Sequence, residues 1–82
     1  MALITKRHFS HIDKERNTIH ESVDATYCTF TKGENKYFQI DTYGSENRQL
    51  KDKISQSIQL DRDMAIELVE LLQREFDLRL SW

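Results

Sequence analysis

Between Lys36 and Leu60 the chain alternates twice in polarity, then switches at once to helical periodicity. In the first run, Phe38 and Ile40 fall on one side, with Tyr37, Gln39, Asp41 and Tyr43 on the other. In the second, Ile54, Ile58 and Leu60 share a side, with Ser55, Ser57 and Gln59 opposite. A strand's side chains change side at every residue, so each run has one face to bury and one to leave in water. Gln56 interrupts the apolar side of the second run, which points to an edge position or a buried hydrogen bond. The turn-rich stretch Gly44–Asp52 joins the two.

The helical part starts after Asp61, whose carboxylate can accept from the free N–H groups of a first turn. Met64, Ala65, Leu68, Val69, Leu71, Leu72 and Phe76 recur at helical spacing as one broad apolar face. Glu70 and Arg74 form an i,i+4 pair in the favourable order, and Ile66 lies on the polar side. Leu78, Leu80 and Trp82 then alternate, which predicts an extended end that docks on the core or on a second subunit. Upstream, Ser22–Thr31 is rich in Val, Thr, Tyr and Phe, and Lys32–Asn35 places a glycine between two strand-like runs, a hairpin signal. Ala2–Phe9 reads as a short first strand and His11–Asn17 as a loop. The expected fold is α+β: an antiparallel sheet of three to four strands, with one C-terminal helix packed on its Phe38/Ile40/Ile54/Ile58/Leu60 side.

At 82 residues this is a single domain spanning 1–82. A chain of this size buries only about 60% of its unfolded surface, which favours a homodimer or docking to a protein partner. Cys28 is alone, so no disulfide can staple the fold, and a lone thiol suits a reducing, cytoplasmic setting. No apolar run approaches the roughly 18 residues of a membrane helix, and MALITKRHFS lacks the apolar centre of a signal peptide, so no membrane role is expected.

The net charge is −2, unevenly spread. Ile54–Trp82 carries three basic and six acidic residues, whereas Thr31–Lys53 carries five and four. A strongly basic nucleic-acid footprint is missing, but the first two-thirds would not repel phosphate.

Reactive constellations are sparse. His8, His11 and His20 lack the spacing and the cysteine partners of a zinc site, so no metal is expected. Gly33 and Gly44 are isolated and make no phosphate loop. Ser45 and Ser57 have no histidine and acid in triad order, and Asp41 and Asp61 have no reason to be buried as an acid/base pair. The reading is a non-enzyme with no catalytic residue and no cofactor.

Two binding surfaces remain. The open sheet face would present Tyr37 and Tyr43, with Lys36 at the strand's start and Arg48, Lys51 and Lys53 at the rim. Aromatics on a flat sheet can stack bases at about 1–3 kcal/mol each, and the basic rim can neutralise phosphates, so single-stranded nucleic acid is the first expected ligand. Any antiparallel sheet with one solvated face looks polar there, however, and tyrosines also favour protein contacts. The alternative is a protein-interaction module or accessory subunit acting through Ile66, Leu78, Leu80 and Trp82.

The segment Tyr37–Leu72 resembles the transcriptional-coactivator type of single-stranded-DNA-binding domain. The matching parts are FQIDTY (38–43), the loop with Arg48, Lys51 and Lys53, KISQSIQL (53–60) and the helix from Asp61. The resemblance implies a sheet followed by one helix, dimers paired through that helix, phosphate contacts from Lys51 and Lys53, and stacking by Tyr43. Asp52 separates the two lysines where that family tends to have glycine, the net charge is acidic, and the first 20 residues do not match. The string TYGSENR…SQSIQL also looks like small uncharacterised bacterial proteins, a likeness in which Arg48 could simply reach back to Ser55 and Gln56.

Overall fold

A computed structural model describes residues 1–44 and 53–79. Four strands, β1 (Ala2–Ile4), β2 (Ala25–Lys32), β3 (Asn35–Tyr43) and β4 (Ile54–Leu60), form one sheet in the order β1-β4-β3-β2. The helix α1 (Arg62–Glu75) follows β4 directly. The architecture is the expected two-layer α+β domain, with two differences at its N-terminal end.

β1 is only three residues long, ending at Ile4 instead of Phe9, and Lys6–His8 forms a 3-10 turn. It also runs parallel to β4, with Ile4 opposite Leu60, whereas β2–β3 and β3–β4 are antiparallel. The sheet is therefore mixed. Residues 9–24 form no regular element and carry the chain from one sheet edge to the other, and a connection of that length leaves strand direction free. Ala2–Ile4 thus pairs within its own sheet.

The β2–β3 hairpin closes at Gly33–Glu34, where Gly33 takes φ of 65°. A positive φ at the first of two loop residues is the primed turn whose twist matches the strands, and glycine adopts it without a Cβ penalty. The β3–β4 ladder has a bulge: Thr42 pairs with Gln56 and Tyr43 with Ile54, leaving Ser55 as the extra residue. Gln56 is exposed beside it.

Asp61 caps α1 as its sequence position predicts, its Oδ1 accepting from the Met64 N–H at 2.9 Å. The C-terminus closes in a Schellman arrangement: the Leu78 N–H donates to the Gln73 carbonyl at 2.9 Å across Asp77, which sits at φ of 51°. On the flank of α1, Glu67 meets Lys6 at 3.7 Å, tying the 3-10 turn to the helix.

The core is smaller than the apolar pattern predicts. Met64 is 1% exposed and Leu60 is buried, and they are the buried apolar side chains among the described residues. Ile54, expected beneath the helix, pairs with Tyr43 beyond the bulge and so falls on the opposite side of the sheet; Ile58 is nearly two-fifths exposed on the helix side, and Phe76 is 70% exposed. Geometry explains the shortfall. Four strands about 4.8 Å apart make a layer wider than one helix of about 10 Å can cover.

Candidate functional site

Cross-strand register sorts the sheet into two surfaces. Tyr27, Thr29, Phe38, Ile40, Ile58 and Leu60 share the helix side. Thr26, Cys28, Phe30, Tyr37, Gln39, Asp41, Ser57 and Gln59 share the other.

On the helix side, α1 leaves β2 uncovered. Its apolar arc is wider than its contact with the sheet: Met64 points down, while Ala65, Val69, Leu72 and Phe76 form a second stripe rotated away from it. An open groove of about 440 Å³ runs between helix and hairpin, lined by Thr29, Lys36, Phe38, Leu60, Arg62 and Ala65. Tyr27 continues its floor. The Tyr27 ring stacks on Phe38 with centroids 5.5 Å apart and planes 17° apart, yet the residue is 73% exposed. Farther along α1, Ile66 and Leu72 are exposed, as are Phe76 and Leu78 past its end. The charged residues at the groove are balanced, Glu34 and Asp61 with Lys36 and Arg62, while Glu67 lies on the other flank of α1 against Lys6.

The opposite side holds a polar ladder. The Asp41 carboxylate accepts from Ser57 Oγ on the neighbouring strand and from Gln39 Nε2 at 2.9 and 3.1 Å. Since a carboxylate only accepts, the Gln39 amide must turn its NH₂ to Asp41, so its Oε1 faces Gln59, whose Nε2 donates at 2.8 Å. Asp41 is 7% exposed and Ser57 is buried too, a burial that alternation alone did not predict. Both belong to inner strands and have cross-strand neighbours. With both carboxylate oxygens engaged, the ladder reads as a structural element. Flanking it, Phe30 and Tyr37 stack at 5.4 Å, and the Tyr43 hydroxyl shares a hydrogen bond with Thr26 Oγ1 at 3.0 Å.

The nucleic-acid candidates do not converge. Lys36 belongs to the helix side and Tyr37 to the other, as the two-residue period requires. Tyr37 and Tyr43 lie six positions apart on β3, about 20 Å at strand rise. Lys53 is exposed just before β4, and Arg48 and Lys51 lie outside the described residues, as does the proposed Arg48 contact to Ser55 and Gln56. Of the interface candidates, Ile66 and Leu78 are exposed on the helix side, whereas Leu80 and Trp82 lie outside the described residues. Tyr27 and Phe30 escaped the sequence reading, and Phe76, expected in the packed face of the helix, is exposed. Tyr27 and Phe30 sit on a strand whose pairing had to be known before its faces could be assigned.

Among the described residues no three His, Cys, Asp or Glu side chains are placed to hold a metal ion; His11 instead stands 3.6 Å from Asp13. No helix among them is long and apolar enough to cross a membrane. In comparisons with known proteins, no family model, curated protein or solved structure matches the chain significantly.

Proposed function

We propose that this chain is a non-enzymatic protein-interaction module that accepts an amphipathic helix of another protein in the groove between α1 and β2. The observation that supports this reading is the unfinished helix layer. The floor at Tyr27 and Phe38 and the wall at Ala65, Val69, Leu72 and Phe76 are apolar, and the helix leaves the β2 part of that sheet side uncovered. A second helix is the element whose width fits the gap, read through apolar positions at i, i+3, i+4 and i+7.

The test uses the full chain as bait and then purified components. A captured protein should re-form a one-to-one complex with the pure chain, survive about 0.5 M salt because its contact is apolar, and be lost with Leu72→Glu. A complex indifferent to Leu72→Glu and Tyr27→Ser overturns the groove as its seat.

Single-stranded nucleic acid is the second reading. It is favoured by the Phe30–Tyr37 aromatic pair on the open sheet face, with Lys32 near the hairpin tip. Anisotropy of a labelled 20-mer of single-stranded DNA would then show micromolar binding that fades with salt and disappears in Lys51→Glu/Lys53→Glu. No binding at low salt removes it.

A further inference from the structure

The outer edge of β2 is unpaired among the described residues, and its side chains are exposed along all eight positions. Such an edge normally carries protection in the form of charge, proline, a bulge or short length. β2 has none of these between its ends: Ala25–Thr31 contains no charge and no proline, and its pairing with β3 is regular throughout. The opposite edge, β1, is only three residues long.

We infer that β2 pairs antiparallel with β2 of a second copy of this chain, about a two-fold axis through Cys28, to make a continuous eight-stranded sheet. Two independent features of the strand select that register. The first is charge. Asp24 and Lys32 stand four residues to either side of Cys28, so a two-fold there sets Asp24 of each copy opposite Lys32 of the other, with only uncharged pairs between. The second is the direction of the main-chain groups. The Tyr43 N–H donates to the Asp24 carbonyl at 3.0 Å, so Asp24 turns inward to β3. By alternation Thr26, Cys28, Phe30 and Lys32 do the same, leaving Ala25, Tyr27, Thr29 and Thr31 with N–H and C=O pointing outward.

Centring on Cys28 matches those outward groups, Tyr27 with Thr29 and Ala25 with Thr31, each exchanging two hydrogen bonds. Tyr27 of the two copies becomes a diagonal pair within aromatic reach. The helices fall on the same side of the joined sheet, so the two grooves meet over the paired β2 strands. The dimer does not depend on the groove's having an occupant, and Leu72→Glu leaves the edge intact, whereas Tyr27→Ser also removes the diagonal pair.

The register also supplies its own probe. Cys28 faces its copy at a non-hydrogen-bonded position, where Cα atoms lie about 4.5 Å apart, inside the range a disulfide spans. It is the sole cysteine and it is exposed. Sedimentation of the reduced chain at tens of micromolar should give twice 9.8 kDa, and mild copper–phenanthroline oxidation should give a covalent dimer. Moving the cysteine, as Cys28→Ser/Thr26→Cys, should slow that cross-link at least tenfold, because position 26 faces position 30.

Asp24→Lys and Lys32→Asp should each weaken the dimer about tenfold, and the double swap should restore it. Thr29→Pro, which removes an outward N–H and leaves the β3 ladder intact, should give the monomer. A reduced wild-type chain that sediments at 9.8 kDa overturns the proposal. So does a dimer that ignores both single charge changes or cross-links equally well from position 26. If the singles lose their fold, recovery in the double swap still decides the register.

Discussion

Ser57 donates its hydroxyl to the Asp41 carboxylate directly across the β3–β4 ladder, and both residues are buried on the side of the sheet opposite the helix. Asp41→Ala strands the Ser57 hydroxyl and the Gln39 amide without an acceptor. It should cost about 1–3 kcal/mol, a drop in Tm of roughly 4–24 °C for a domain of this size. Ser57→Ala should cost less, and the double variant should fall short of the sum by at least 0.5 kcal/mol. Urea melts of the four proteins check this, and strict additivity would mean the two groups act independently.

Met64 and Leu72 share the apolar arc of α1 but differ in burial. Met64→Ala opens a cavity under the helix and should cost about 2–5 kcal/mol. Leu72→Ala should cost clearly less in the isolated chain, about 1 kcal/mol, its side chain being 42% exposed already. Chemical denaturation of both variants at one protein concentration compares them, and equal losses would mean that Leu72 is packed in solution.

Asp77 holds the left-handed position that ends α1, a conformation costing a residue with a Cβ about 1–2 kcal/mol. Asp77→Gly should therefore raise Tm by a few degrees while keeping the Leu78–Gln73 hydrogen bond. The reverse change in the hairpin, Gly33→Ala, should lower it, although nothing lies within 4 Å of the added methyl: the penalty is in the positive φ alone. Thermal melts of the two variants should move in opposite directions.

Asp61→Ala removes the acceptor for the Met64 N–H and should cost about 1 kcal/mol, with Asp61→Asn or Asp61→Ser close to wild type. Far-UV circular dichroism through a urea titration measures it. A full loss with Asn would point to the charge near the helix N-terminus instead of the hydrogen bond.

Local chemistry was readable wherever one segment carried its own constraint. Alternation set the faces of β3 and the later part of β4. Asp61 marked the start of α1, and Gly33 the hairpin turn. The candidate site was less legible. Lys36 and Tyr37 were grouped as neighbours in the chain, yet adjacent strand residues point to opposite sides, so the grouping could not survive on a sheet. The Ser57–Asp41 contact joins residues sixteen positions apart and required the register across the β3–β4 bulge.

The sequence by itself determined that this chain makes a small sheet with one capped helix, because polarity period and end signals are properties of contiguous residues. Only the tertiary structure decided which apolar side chains are spent in the core. The helical pattern marks a wide arc as apolar, but one helix cannot span four strands, so Met64 and Leu60 are buried while Tyr27, Ile58, Leu72 and Phe76 remain in contact with solvent. The strand order decided as well that β2 is an outer edge and that Asp24, Cys28 and Lys32 line it. Edge and interior strands follow from how the sheet is threaded, which no local pattern encodes.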